Sequence, residues 1–202
     1  MNFDYGELYK LLDKLSYESK LGKNLKNTLR RFDKIQVIDE IENYIDYLNE
    51  NIIDLIKTKH KFRIKSIHSI SLKYDRYYPS KSLNSCFNDI LGIRAIVEDY
   101  ESIPKDIDNI RHVDMTQGKV NDDGYRGYHI YYQKSNYHYP IEVQLFTEKD
   151  YIFNVLSHKY VYKYKENYIG IRLRDMYENG NIKNENEFKE ALEDVLSSSK
   201  EI

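Results

Sequence analysis

Residues 124–146 limit the fold more than any other stretch. Arg126 to Gln133 and Tyr139 to Phe146 are two runs rich in aromatic and β-branched residues, separated by Ser135-Asn136. Two such runs around a short polar break predict a β-hairpin. The compact apolar run Ile90 to Val97 holds Gly92 and Arg94 and predicts a central strand. Lys57 to Ile64 alternates weakly and Ile110 to Met115 is a further candidate, so the hairpin has strands to join. The link containing Pro104 is too short for a sizeable crossover helix. Gln117 to Gly124, polar with two glycines, predicts a loop.

Helical spacing surrounds these strands. Leu8, Leu11, Leu12 and Leu15 predict a helix within Glu7 to Lys20. Leu25, Leu29, Phe32, Ile35, Ile38, Ile41, Ile45, Leu48, Ile52 and Leu55 recur at steps of three and four. They predict one long helix or two abutting ones. Ser66 is set to cap a helix reaching about Tyr74, broken by Pro79 and Ser80. Thr147 or Glu148 opens another, running to about Lys165, with Ile152, Val155, Leu156 and Tyr160 facing inward. Glu185 to Leu196 is a terminal helix. The order predicts an α+β fold, a sheet covered by helices.

The net charge of −2 gives no global basic field of the kind that announces nucleic acid. Basic residues instead cluster, at Lys20, Lys23, Lys26, Arg30 and Arg31 and at Lys159, Lys163, Lys165, Arg172 and Arg174. The single cysteine, Cys86, excludes an internal disulfide and a cysteine-based zinc site, and reads as a small buried residue. No signal peptide or apolar run of spanning length is seen, so a cytoplasmic protein without membrane contact is expected.

Three constellations carry chemistry. Arg63, Lys65, Ser69, Lys73 and Arg76 fall at a strand-to-helix junction, the last three on one helical face. Four cations, a hydroxyl and a helix N-terminus suit a triphosphate, though a solvated basic face has the same composition. Asp89 stands at the entrance of the central strand, and Glu142 and Gln144 share one face of a second strand. A lone acid there is commonly a cap. Two carboxylates with phosphate oxygens and water suit Mg2+, and burying Glu142 between Ile141 and Val143 is costly unless it is satisfied or functional. Tyr125, Arg126, Tyr128 and His129 form the third group. Tyr125 can stack on a base and Arg126 can stack on a second base or reach phosphate. For Tyr128, Tyr131 and Tyr132 an aromatic cross-strand cluster is the alternative. No GxxxxGK[ST], GxGxxG or HExxH pattern occurs.

In order along the chain, Arg63-x-Lys65-x3-Ser69-x3-Lys73, Asp89-Ile90-Leu91-Gly92-Ile93-Arg94, Gly124-Tyr125-Arg126-x2-His129 and Glu142-Val143-Gln144 resemble the synthetase domain of RelA/SpoT homologues. Within that family the resemblance is specifically to the single-domain small alarmone synthetases. His158 and Tyr162-Lys163-Tyr164 fit the family's helix after the hairpin. The resemblance implies one synthetase domain over 1–202, with a helical part over 1–56, a catalytic core over about 57–165 and a C-terminal extension over 166–202. It implies a nucleotidyltransferase-like mixed sheet and transfer of the β,γ-pyrophosphate of ATP to a ribose 3′-hydroxyl. Arg63, Lys65, Ser69 and Lys73 would hold the ATP phosphates, Arg63 and Lys65 also counting as catalytic. Arg94 and Arg126 would sandwich adenine. Asp89 and Glu142 would hold Mg2+ and act catalytically, Glu142 also drawing the proton from the 3′-hydroxyl. Tyr125 would stack on the acceptor base, with Lys119, His129 and Gln144 beside it.

The chain departs from the pattern at Phe146, where makers of (p)ppGpp usually carry Arg, at Gly127, usually Ser or another small residue, and at the bulky Tyr128. These departures resemble the toxic branch of the family, whose members include enzymes that pyrophosphorylate the 3′-terminal adenosine of the tRNA CCA end. A toxin that stops translation is therefore expected, with tRNA as partner. GDP or GTP as acceptor, in a (p)ppGpp synthetase of the stringent response, is the alternative. Lys26, Arg30, Arg31, Lys159 and Lys163 would follow tRNA phosphates, and an antitoxin would be a separate chain.

Overall fold

The computed structural model of the chain describes residues 4–57, 60–105 and 108–198, without the side chains of Ile52, Asp54 and Leu55. Contacts group it into two compact units. The first comprises residues 1–95, 103–112 and 129–145; the second comprises 96–102, 113–128 and 146–202.

In the first unit, helix α1 (Tyr5–Leu15) begins where Asp4 accepts a hydrogen bond from the Glu7 amide, and buries Leu8, Leu11, Leu12 and Leu15. Helix α2 (Lys34–Glu50) is capped by Asp33 and buries Val37, Ile41, Tyr44 and Leu48. Helix α3 (Ile52–Lys57) follows. The expected helix across Leu25 to Phe32 is replaced by a 3-10 turn at Leu29–Arg31. The reason is tertiary. The Leu29 amide donates to Lys81 O, while the Leu83 and Asn84 amides donate to Asn27 O and Leu25 O. That pairing takes up backbone groups a helix would have used. Leu25, Leu29 and Phe32 are nevertheless buried, as the stripe implied. Ile35, at the start of α2, is exposed instead. Ile52 and Leu55 of the same stripe lie outside the described side chains, and Thr58 and Lys59 lie outside the described residues.

Strand β1 (Lys61–Ile64) leads through Ser66 into helix α4 (Ile67–Tyr77), whose Ser69 amide donates to the Ser66 hydroxyl as expected. The short helix α5 (Leu83–Cys86) and strands β2 (Leu91–Ile96), β3 (Ile110–Asp114), β4 (Tyr128–Tyr132) and β5 (Ile141–Phe146) complete the sheet. Its order is β1-β2-β5-β4-β3. β1 and β2 run antiparallel with Arg63 opposite Gly92, and the two hairpin strands are neighbours. The fold is α+β with a mixed sheet flanked by helices. Tyr44 stacks between Tyr17 and Tyr139 at 5.0 and 5.6 Å, so part of the tyrosine content is core. Cys86 is buried, and burial pushes its thiol up to about 11, which leaves it protonated at neutral pH.

The second unit holds helices α6 (Glu148–Tyr160), α7 (Asn167–Glu178) and α8 (Glu185–Ser198). Their core is Phe153, Leu156, Val161, Ile169, Leu173 and Phe188 with smaller neighbours. Two inward expectations fail: Ile152 and Val155 are exposed. The buried face of α6 runs through Asp150, Phe153 and Leu156, because Asp150 is drawn inward by a cation. That cation is Arg174, which pairs with Asp150 and with Glu178 and lies 4.8 Å over the Phe153 ring. Tyr100 and Thr147 donate to the same carboxylate, at 2.7 and 2.9 Å. Burial pushes the Asp150 carboxyl up, but Arg174, Tyr100 and Thr147 outweigh it and hold it below its ordinary value. Its stability contribution is thus complete above the unfolded value and is lost as pH falls through the lowered one. Arg174→Met leaves a buried carboxylate without its cation and should cost about 3–5 kcal/mol at neutral pH. Urea unfolding at about pH 7 and about pH 3 checks this, and the deficit should narrow on acidification.

Candidate active site

In the first unit β1 delivers Lys65 and α4 delivers Lys73 to one carboxylate. The Lys65 ammonium pairs with Asp89 Oδ2, and Lys73 Nζ reaches Oδ1 at 2.8 Å. Burial pushes Asp89 up, but the two ammonium hydrogen bonds prevail and hold the carboxyl below its usual value. Ser69 bonds Ser66 through its hydroxyl at 3.0 Å. Ser69, Arg63 and Arg76 are exposed. The junction expected to take a triphosphate is therefore assembled, with two of its cations held by Asp89.

A polar row crosses four adjacent strands. Arg94 on β2 donates to Gln144 Oε1 on β5 at 2.9 Å. Gln144 donates to Glu142 Oε2 at 3.2 Å. Glu142 Oε1 accepts from the Tyr131 hydroxyl on β4 at 3.0 Å and lies 3.3 Å from His129 Nδ1. The Arg111 guanidinium of β3 covers the Tyr131 ring at 4.2 Å. Glu142 is only 7 % exposed. Burial pushes its carboxyl up, but the hydrogen bond and charge of His129 and the Tyr131 hydroxyl outweigh this and hold it below its ordinary value. Glu142, His129 and Gln144 were expected here. Tyr131 and Arg111 were missed as functional residues, although period-two alternation puts Tyr131 on the face of His129. Gly92 lies under the row, and a Cβ there would sit 3.6 Å from Glu142 Oε2.

The charge of Asp89 reaches Glu142 and pushes its carboxyl up, against the larger effects of His129 and Tyr131. Among the described residues no group of three or more His, Cys, Asp or Glu side chains gathers as a metal site. Two hard carboxylates, each kept anionic, fit a Mg2+ ion that takes its remaining oxygens from phosphate and water.

In the second unit the loop before β4 is tied to itself. Asp122 accepts Arg126 in a bidentate pair at 2.8 and 3.0 Å. Arg126 also donates to Tyr125 O. The expected adenine partner is thus held by a local carboxylate. Lys119 Nζ lies 4.4 Å from the Tyr125 ring centre, and Phe146 meets that ring edge-on at 6.0 Å and 83°. Lys119 and Tyr125 are thus brought together. Of the tRNA candidates, Arg30 and Arg31 are exposed in the first unit, whereas Lys26 lines a cavity of about 380 Å3 with Asn84, Arg111, Tyr131 and Gln133. In the second unit, Lys159 pairs with Glu185 at 2.7 Å and Lys163 is exposed.

The profile described as "Region found in RelA / SpoT proteins" matches residues 62–167, just over half of the chain. The chain belongs to the RelA/SpoT family. Its enzyme class is that of a pyrophosphokinase with ATP as donor. No curated protein matches the chain. Among solved structures, small alarmone synthetase 2 from Bacillus subtilis is 22% identical, over 85% of this chain and 100% of that one, with a TM-score of 0.40. Small alarmone synthetase 1 from the same organism is 20% identical over 81% and 100%, with a TM-score of 0.44. A GTP pyrophosphokinase family protein from Streptococcus pneumoniae is 18% identical over 96% and 90%, with a TM-score of 0.40. No helix among the described residues is long and apolar enough to cross a membrane.

Two departures from the family pattern are one physical feature. A Cβ on Gly127 would lie 2.7 Å from Phe146 Cε1 and 3.2 Å from the Tyr125 hydroxyl, and Phe146 is buried and has nowhere to go. Gly127→Ala should therefore overpack the site and cost about 1–3 kcal/mol. In a double-mutant cycle, Phe146→Leu should restore most of that loss. Additive losses in urea unfolding would refute the coupling.

Proposed function

We propose that the chain moves the β,γ-pyrophosphate of ATP to the 3′-hydroxyl of the 3′-terminal adenosine at the tRNA CCA end, and so acts as a toxin against translation. The acceptor oxygen attacks the β-phosphorus, the bond from that phosphorus to the oxygen bridging to the α-phosphate breaks, AMP leaves and the hydroxyl proton is released. Such transfer needs positioning and neutralisation of charge more than covalent help.

Arg63, Lys65, Ser69 and Lys73 bind the phosphates of ATP. Lys65 and Lys73 are held by Asp89 without the nucleotide and exchange that carboxylate for phosphate when it enters. Asp89 and Glu142 hold Mg2+, which supplies charge neutralisation at the phosphates. Arg94 stacks on adenine. Arg126 serves there only by leaving Asp122. Tyr125 stacks on the acceptor base, beside Lys119. Glu142 is poised as an anion by three donors, which suits ligation and orientation of the 3′-hydroxyl. Its lowered pKa makes it a weaker base than an ordinary carboxylate, so it accepts the proton only as the oxygen loses electrons to phosphorus. The motif residues occur in both compact units, as does the family-matched stretch 62–167, which supports one synthetase domain.

Phe146 is the observation that carries the choice of acceptor. Where relatives that make (p)ppGpp usually carry Arg, this chain has a buried ring wedged beside Tyr125. At position 146 the support of the acceptor aromatic is apolar, where an Arg would offer a cation to the phosphates of a free nucleotide; Lys119 remains over the Tyr125 ring. Arg30, Arg31 and Lys163 offer exposed charge for a longer, phosphate-bearing acceptor. The antitoxin in this reading is a separate protein. Family membership supports the second reading, a guanine-nucleotide acceptor giving (p)ppGpp.

Incubation with γ-labelled ATP and either deacylated tRNA or GDP and GTP decides between them. Label at the tRNA 3′ end is expected, and label confined to guanine nucleotides would establish the second reading. Glu142→Gln should lower the rate by about 10²–10⁴-fold, and EDTA should abolish it in a way that added Mg2+ reverses.

A further inference from the structure

Helix α7 starts at Asn167, where the family-matched stretch ends, so almost all of it lies beyond that stretch. It makes the tightest backbone approach around the acceptor loop. A Cβ on Gly170 would sit 2.0 Å from Asp123 O and 2.9 Å from its carbonyl carbon. Reciprocally, a Cβ on Gly124 would lie 2.4 Å from Gly170 O and 3.3 Å from Arg174 Cβ. Gly124 also has φ of +82°, a conformation that glycine adopts freely and L side chains rarely. Two glycines, one on the loop and one on the helix, thus press backbone against backbone.

The helix side of this contact is anchored. Ile169 and Leu173 are in the core of the second unit, and Arg174 is fixed by Asp150, Glu178 and the Phe153 ring. The loop side is anchored to Tyr125. Asp122 Oδ1 accepts from the Gly124 amide at 3.0 Å, and Asp123 Oδ1 accepts from the Tyr125 amide at 3.1 Å. Asp123 Oδ2 holds Lys119 at 2.8 Å. Asn154 of α6 clamps both backbone groups of Arg126. The residues that carry Tyr125 are therefore rigid with respect to one another, and the helix contact sets where they stand.

We propose that Gly170 is a positioning residue for the acceptor: α7 sets the location of Tyr125 and Lys119 through the Gly124–Gly170 contact, and acceptor affinity depends on a helix beyond the family's matched stretch. This rests on the reading of Tyr125 as the acceptor-stacking residue. The phosphate-binding residues Arg63, Lys65, Ser69 and Lys73 and the adenine-side Arg94 belong to the first unit and take no part in the contact; Arg126 shares the loop but is paired with Asp122 and serves the donor only by leaving it.

The test compares Gly170→Ala with Gly180→Ala in the full chain. Gly180 follows α7 with φ of +78° and open space around it, so alanine there strains the end of the same helix without touching the loop. Gly170→Ala should raise the KM for whichever acceptor the wild type labels, with kcat/KM falling about 10–100-fold, while the KM for ATP stays within about twofold. Gly180→Ala should leave the acceptor KM unchanged. A Gly170→Ala enzyme with unchanged acceptor KM, or with equal losses toward ATP and acceptor, overturns the proposal. Hydrogen exchange gives a readout independent of activity. Peptides covering residues 119–128 should exchange faster in Gly170→Ala alone, with β1 and α4 unaffected, and unchanged exchange there also overturns the proposal. If the wild type labels neither tRNA nor guanine nucleotide, the functional reading falls while exchange still decides the contact. Should Gly170→Ala fail to fold, Arg174→Lys, which loses the fork between Asp150 and Glu178, is expected to give the same selective loss of acceptor affinity and of loop protection. Its absence would overturn the proposal equally.

Discussion

The buried charge of Glu142 is the constraint on which the sheet of the first unit turns. An isolated carboxylate at that depth costs several kcal/mol unless it is hydrogen-bonded and countered by positive charge. Here β4 contributes His129 and Tyr131, β5 itself contributes Gln144, and β2 and β3 contribute Arg94 and Arg111. Those contacts require β5 to lie between β2 and β4, with β3 beyond β4, and that is the observed order. The strand order and the satisfaction of Glu142 are thus one fact seen from two sides.

Asp89 solves the same problem in another way. Its two oxygens are taken by two ammonium groups from β1 and α4. In the proposed reading those cations bind the phosphates of ATP, so nucleotide entry would exchange one set of oxygen partners for another and gather no new positive charge. The site is in this sense prepared: the charges already stand at the junction, and the reorganisation left at the moment of reaction is small. The ammonium groups also keep Asp89 anionic, the state that a hard cation needs.

How legible this was in the sequence depended on the range of the forces involved. Ser66 and α4 were readable because a cap acts over three residues. Asp89, Glu142 and His129 were readable because a charge beside an apolar strand run demands a reason. The segment Leu25 to Phe32 was misread as helix because its periodicity records burial, whereas its backbone partners Lys81, Asn84 and Pro79 are far away along the chain. Ile152 and Val155 were turned inward in expectation because hydropathy alone ranks them above Asp150. The buried cation that reverses the ranking, Arg174, is remote in sequence. Helix α7 went unremarked because its buried residues include Gly170 and Arg174, neither of which marks an apolar stripe. Tyr131 and Arg111 acquire meaning only once β3, β4 and β5 are aligned.

The departures from the family pattern show the same dependence on three dimensions. Taken one at a time, Gly127 is a small residue replaced by a smaller one, and Phe146 is a lost cation. Together they are a substitution of packing: the ring occupies the volume that a side chain at 127 would need, and its edge meets the Tyr125 ring. Arg at 146 alone would therefore put a guanidinium against Gly127 in a buried space, and burial of that charge would oppose the change. In the proposed reading, a switch of acceptor at this site calls for at least two coordinated changes, at 127 and 146. A loop already fixed by Asp122, Asp123 and Gly170 has little freedom to absorb either one alone.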